Sequence, residues 1–169
     1  MFARPFINSL DFARNGSEMS GEVSINKMVR LLDIMVNQQG SFTYAIRGRQ
    51  DEQGNSLLGL KIAGRCSLRC QRCLSAMDYA IRVETRLWLR EQVSLDALDN
   101  DVASAEEDFD SILADEQLDV LNLLEDEILL SLPIAPKHEQ GACQVTDGEY
   151  SQKDKENPFA ILAKLKVVK

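Results

Sequence analysis

Tyr79-Ala80-Ile81-Arg82-Val83-Glu84-Thr85-Arg86-Leu87-Trp88-Leu89-Arg90 alternates apolar and polar side chains along most of its length. A period of two marks a strand with one buried face. Tyr79, Ile81, Val83, Leu87 and Leu89 therefore form the inward set, and Arg82, Glu84, Arg86, Trp88 and Arg90 the outward one. Upstream, Leu58, Leu60 and Ile62 alternate in the same way. Earlier still, Phe42, Tyr44 and Ile46 alternate with Ser41, Thr43, Ala45 and Arg47. Asp51 to Asn55 reads as the turn between these runs, so the two form an antiparallel hairpin that leads through a cysteine-bearing connection into the third strand.

Helical spacing appears on both sides of this block. Ser24 stands at an N-cap position before Ile25, Met28, Leu31, Leu32 and Met35, which predicts a helix over 24–36 that stops at Gly40. Asp119 caps a second helix through Leu132, whose apolar stripe is Val120, Leu121, Leu124, Ile128 and Leu132; Pro133 and Pro136 end it. Pro158 introduces a short C-terminal helix with Phe159, Leu162 and Leu165 on its apolar side. The remainder divides into an N-terminal arm over 1–20, an acidic loop over 94–118 and a polar linker over 141–157. Phe2, Phe6, Leu10 and Phe12 are the arm's expected anchors, whether it is extended or a short helix. The expected fold is α+β: an antiparallel sheet packed by a few helices, with an acidic insertion and a C-terminal docking helix, in a single domain spanning 1–169.

At 169 residues, 44% hydrophobic and 27% charged, the chain can build one core but not comfortably two. No apolar stretch has the length of a membrane span, and the first ten residues lack a signal-peptide pattern, so the expected location is cytoplasmic with no membrane partner. The net charge of −8 is unevenly spread. Residues 1–90 carry 13 bases against 8 acids, residues 91–136 carry 14 acids and no base, and residues 137–169 carry 6 bases against 5 acids. The acidic stretch is either a solvated surface or a mimic of nucleic-acid charge that engages a basic partner.

Cys70-Gln-Arg-Cys73 is the strongest local signal, because two thiolates three positions apart on a turn converge on one tetrahedral metal. His138 and Cys143, five apart after the long helix, can complete a Cys₃His set, with zinc as the candidate cofactor. The plainer alternative is a group of reduced thiols beside an ordinary histidine. A redox pair would favour a strand-to-helix setting, whereas a strand follows here. Cys66, Cys70 and Cys73 also have the C-x₃-C-x₂-C spacing that resembles the cluster loop of radical S-adenosylmethionine enzymes. In those enzymes an aromatic residue usually stands where this chain has Arg72, and the fold is a partial barrel too large for this length. Arg47, Arg49, Lys61, Arg65, Arg69 and Arg72 form a basic run that can hold RNA phosphates, with Trp88 able to add stacking; the alternative is a solvated sheet face. With one histidine, no Ser/His/Asp set and no phosphate-binding glycine loop, the expectation is a protein that is not an enzyme and has no small-molecule substrate.

Taken in order, several motifs resemble the YceD family. They are Cys70-Gln-Arg-Cys73-Leu74 after a hairpin, the run from Glu125 to Pro133, Pro136-Lys137-His138 with Cys143, and Asn157-Pro158-Phe159-Ala160 with Leu162 and Leu165. The resemblance covers most of the chain from about Gly21 and leaves Cys66 without a role. It implies a non-catalytic part in the synthesis, processing or stability of 23S ribosomal RNA. The partner it implies is pre-ribosomal RNA or a large-subunit ribosomal protein. The competing reading is a small cysteine-dependent redox or iron–sulfur enzyme.

Overall fold

The computed structural model describes residues 4–91, 110–139 and 142–143. In chain order the elements are β1 (Phe6–Ile7), α1 (Ser9–Arg14), β2 (Glu18–Ser24), a 3₁₀ turn (Ile25–Lys27), α2 (Val29–Leu32), β3 (Ser41–Gln50), β4 (Ser56–Arg69), β5 (Ala76–Arg90), β6 (Asp110–Leu113), β7 (Leu118–Asp119) and α3 (Val120–Ser131). The main sheet runs β2-β3-β4-β5-β6, antiparallel except for the parallel β5–β6 pair, and β1 pairs with β7 in a separate two-stranded ribbon. The fold is thus α+β, as the sequence predicts.

The predicted hairpin is the centre of the sheet. Its turn is set by Asp51, whose carboxylate accepts the backbone N–H groups of Gln53 at 2.9 Å and Asn55 at 2.7 Å, while Gly54 takes φ +85°. Alternation then sorts the side chains. Phe42, Ile46, Leu58, Leu60, Ile62 and Leu87 are fully buried on one face, against Met28, Leu31, Leu124 and Ile128 from the helical layer. Gly48 lies on that inner face, where a Cβ would collide with the Phe12 carbonyl and sit 2.7 Å from Ala13 Cα, so α1 rests its backbone directly on β3. The opposite face carries Arg47, Lys61, Glu84 and their neighbours in solvent.

Three expectations change. The helix over 24–36 is broken into the 3₁₀ turn and the single turn of α2, with Met28 between them at φ −101°, ψ 87°. Tertiary bonds outcompete local periodicity here: Glu125 takes the N–H groups of Arg30 and Leu31, and Val36 N–H donates to Ser67 O at 2.8 Å, drawing the chain onto β4. Ser24 precedes the 3₁₀ turn without a side-chain cap bond. The acidic loop over 94–118 is not all loop, since 110–113 and 118–119 are strands, held by Ile112 and Leu118 packing on the core. The N-terminal arm is both extended and helical, and residues 18–24 belong to the sheet; Leu10 and Phe12 pack on the core, whereas Phe6 is exposed. Phe2, residues 94–109, most of the 141–157 linker and the C-terminal helix lie outside the described residues.

Asp119 caps α3 as predicted, accepting from Leu121 N–H at 2.9 Å and Asn122 N–H at 3.3 Å, and Pro133 follows the helix end. Among the described residues, no helix is long and apolar enough to cross a membrane.

Candidate metal centre

The connection from β4 to β5 is a tight turn. Cys70 N–H donates to Ser75 O at 3.0 Å and Leu74 N–H donates to Cys70 O at 2.9 Å, closing residues 70–75 on themselves. Leu74 has φ 60°, a left-handed conformation that costs an L-residue roughly 1 kcal/mol. It reverses the chain directly after Cys73 and leaves Leu74 exposed. Beyond α3, the prolines turn the chain toward this loop, and Gln71 N–H donates to Pro136 O at 2.8 Å. That bond joins two segments far apart in sequence and delivers His138. A further turn, Ala142 N–H to Glu139 O at 3.1 Å, delivers Cys143.

The ligand atoms of Cys70, Cys73, His138 and Cys143 all lie within 4.8 Å of one another. Cys70 Sγ is 3.6 Å from Cys143 Sγ, and His138 Nδ1 is 3.3 Å from Cys73 Sγ and 3.6 Å from Cys143 Sγ. A tetrahedral zinc with Zn–S about 2.3 Å and Zn–N about 2.0 Å has S···S edges near 3.8 Å and S···N edges near 3.5 Å. These three separations match those edges to within a few tenths of an ångström, the other pairs lie within 4.8 Å, and no disulfide joins any of the cysteines. The donor set therefore fits zinc, whose preferred ligands are thiolate and imidazole.

Electrostatics favour anionic sulfur at the deepest position. Burial works against the Cys70 thiolate, yet the backbone N–H groups around it and the neighbouring Cys73 bring its pKa down to about 5. Among those donors is Arg72 N–H, 3.5 Å from the sulfur. Cys73 is also lowered, first by the Ser75 backbone N–H. Cys143 is raised by burial, although Arg72 Nε approaches its sulfur to 2.9 Å. His138 is raised by its hydrogen bond with Cys70.

All four residues proposed as ligands from sequence meet at this corner. Cys66 does not join them; it is buried on β4, and burial with Asp78 pushes its thiol up to about 11, the mark of an inert core cysteine. The six basic candidates for RNA contact separate. Arg47, Arg49, Lys61 and Arg65 are exposed on the outer sheet face, Arg69 lies beyond the end of β3 beside the cysteine turn, and Arg72 is part of the cysteine corner. The contact of Arg72 with Cys143 was not legible in the sequence, which offered Arg72 as the last member of the basic run and as a residue between the two cysteines.

A two-layer α+β domain, closed at one end by a Cys₃His corner that ties a strand connection to the segment after the last described helix, defines the structural class. The family model for the Large ribosomal RNA subunit accumulation protein YceD matches residues 58–166, and the chain belongs to this family. A Haemophilus influenzae protein named Large ribosomal RNA subunit accumulation protein YceD is 25% identical over 169 residues, spanning 95% of this chain and 94% of its own length. No solved structure matches the chain.

Proposed function

We propose that the chain is a non-catalytic, cytoplasmic binding factor that supports accumulation of large-subunit ribosomal RNA, acting on pre-ribosomal RNA or on a large-subunit ribosomal protein. The observation that carries the reading is the closed donor set at Cys70, Cys73, His138 and Cys143. Catalytic zinc keeps a coordination position for water or substrate, whereas four protein ligands fill the tetrahedron and make a structural site. Zinc held by Cys70, Cys73, His138 and Cys143 would supply a cross-link and no reacting species. Family membership and the name of the Haemophilus relative supply the ribosomal context. The iron–sulfur alternative is not favoured, because Cys66 stands apart from Cys70 and Cys73.

Elemental analysis of freshly prepared, chelator-free protein tests the metal. One zinc per chain is expected, with loss in Cys70→Ser and Cys143→Ser, and a colourless preparation. Metal-free wild type or a brown protein overturns the zinc reading. Pull-down of the tagged protein, followed by RNA sequencing and mass spectrometry, tests the role: enrichment of large-subunit precursor RNA or ribosomal proteins is expected. Failure to enrich either contradicts it.

A further inference from the structure

Strand register places cations from three strands on the open face of the sheet. Arg47 pairs across Gly59 with Arg86, so two guanidinium side chains flank a residue with no side chain. One step along, Lys61 faces Glu84; beyond that Ala63 faces Arg82, and then Arg65 faces Ala80. In the other direction Leu57 lies between Arg49 and Trp88. The exposed cations here are Arg47, Arg49, Lys61, Arg65, Arg82 and Arg86, six in all, against the four carboxylates Glu18, Glu22, Asp78 and Glu84. Arg47–Glu18 at 2.6 Å and Lys61–Glu84 at 2.7 Å are exposed ion pairs, which contribute little in water and can exchange partners, and Arg86 also acts on the Glu84 carboxylate. The face thus carries a net positive charge in a protein whose total charge is −8.

The same face is hollowed. A shallow groove of about 630 Å³ runs over Gly59, lined by the bases Arg47, Arg49, Lys61 and Arg86 and by the acids Glu18, Asp51 and Glu84. Gly59 makes its floor, although nothing in the packing demands a glycine there: an added Cβ would meet only the Arg47 carbonyl oxygen at 3.7 Å, an ordinary contact. Glycine weakens a strand interior, and where packing does not require it, it leaves room for another backbone to approach closely. Trp88 at the end of the face, with the Arg90 guanidinium 4.4 Å from its ring, adds an aromatic surface.

We propose that this outer face of β3, β4 and β5 binds single-stranded RNA, with the phosphate backbone lying in the Gly59 groove. Arg47, Arg49, Lys61, Arg82 and Arg86 contact phosphates, and Trp88 lies at the end of the track. Cations two residues apart along a strand repeat at about 6.7 Å, a spacing that follows an extended backbone. An open sheet face with an aromatic side chain at its end suits unpaired RNA, whose bases can splay and stack. A basic ribosomal protein would be repelled here and drawn instead toward residues 91–136. This inference rests on the proposed function and narrows it to one partner class and one surface. It moves the contact away from the cysteine turn and adds two arginines of β5.

Anisotropy titration of full-length protein with a labelled single-stranded RNA oligonucleotide, over a range of salt, tests it. Combined Arg49→Gln, Arg82→Gln and Arg86→Gln is expected to weaken binding at least tenfold and reduce the log–log salt slope by about 2, near 0.7 per lost contact. The charge-matched control Arg14→Gln, Lys27→Gln and Lys137→Gln, away from this face, should bind as wild type does. Glu18→Gln with Glu84→Gln removes the two carboxylates paired with Arg47 and Lys61 and is expected to tighten binding, a gain that misfolding cannot imitate. Equal loss in the control, or no tightening in the Gln pair, overturns the assigned face while leaving the proposed role standing. A wild type that ignores RNA yet captures a ribosomal protein overturns the RNA assignment alone. Capture of neither contradicts the role itself.

Discussion

Both carboxylate oxygens of Glu125 are engaged from a buried position on α3. Oε1 accepts Arg30 N–H at 2.7 Å and Leu31 N–H at 3.0 Å, and Oε2 accepts Arg30 Nε at 3.1 Å. Glu125→Ala leaves a buried N–H without its acceptor and is expected to lower stability by about 2–4 kcal/mol in urea unfolding. Glu125→Gln, which keeps one oxygen, should lose less, and equal loss in both would show that charge rather than capping matters. Cys66 invites a chemical test. With its thiol pushed up to about 11 by burial and by Asp78, it should stay unmodified when the native, chelator-treated protein meets iodoacetamide near pH 7.5, while the partly exposed Cys73, whose pKa is lowered, reacts. Peptide mass spectrometry reads this directly, and rapid labelling of Cys66 would show that β4 opens. The corner itself should respond to acid. Cys143 and His138 both hold their protons more tightly than usual, the first through burial and the second through its bond with Cys70. Each must be deprotonated to coordinate, so lowering pH favours the metal-free state. Apparent zinc affinity measured with a chromogenic competitor should fall from about pH 8 to about pH 6, and a flat profile would contradict coordination by these groups.

Long elements were readable from sequence, and short ones were not. The strands around Leu58 to Ile62 and Tyr79 to Leu89 show their period over many residues, and α3 announces itself through Asp119 and the prolines. By contrast, Glu18–Ser24 offers just Met19 and Val23 to the inner face with Gly21 between them, too little pattern for a strand to show. Asp110–Leu113 is four residues inside an acidic stretch, and only pairing with β5 makes it a strand. The region over 24–36 erred the other way, since Met28, Leu31 and Met35 satisfy helical spacing while Glu125 and Ser67 pull the backbone out of a continuous helix. The helix that was read correctly carries a firm expectation. Leu124→Asp or Ile128→Asp puts a charge into a fully buried position and should destabilise the domain by more than about 3 kcal/mol; a loss under about 1 kcal/mol would show that α3 is not core. Gly48→Ala should cost about 2 kcal/mol or more, because its new methyl meets the α1 backbone rather than a side chain that can swing away.

For the molecule as a whole, residue types at the candidate centre were legible but their meeting was not. A CxxC on a turn announces half a metal site, and His138 follows Cys73 by 65 positions, so only tertiary structure brings the halves together. Zinc removal by a strong chelator should lower the melting temperature by several degrees and free the segment after α3, since the Gln71–Pro136 hydrogen bond alone would then hold it among the described backbone contacts. Calorimetry with and without chelator measures this, and identical melting would deny the cross-link. A second long-range closure lies at the other end of the chain. β1 pairs Phe6 with Asp119 and Ile7 with Leu118, Arg4 reaches the Asp119 carboxylate at 3.0 Å, and Ser9 exchanges hydrogen bonds with Asp115. Synthesis runs from the amino end, so residues 4–9 are made first and must wait for partners that are made more than a hundred residues later. The meander from β2 to β5 needs only neighbours already translated and can assemble while the chain is still growing. A polypeptide released before residue 115 would therefore pair its central strands yet lack both the α3 cover of their apolar face and the partners of residues 4–9, exposing surfaces that surveillance proteases can seize.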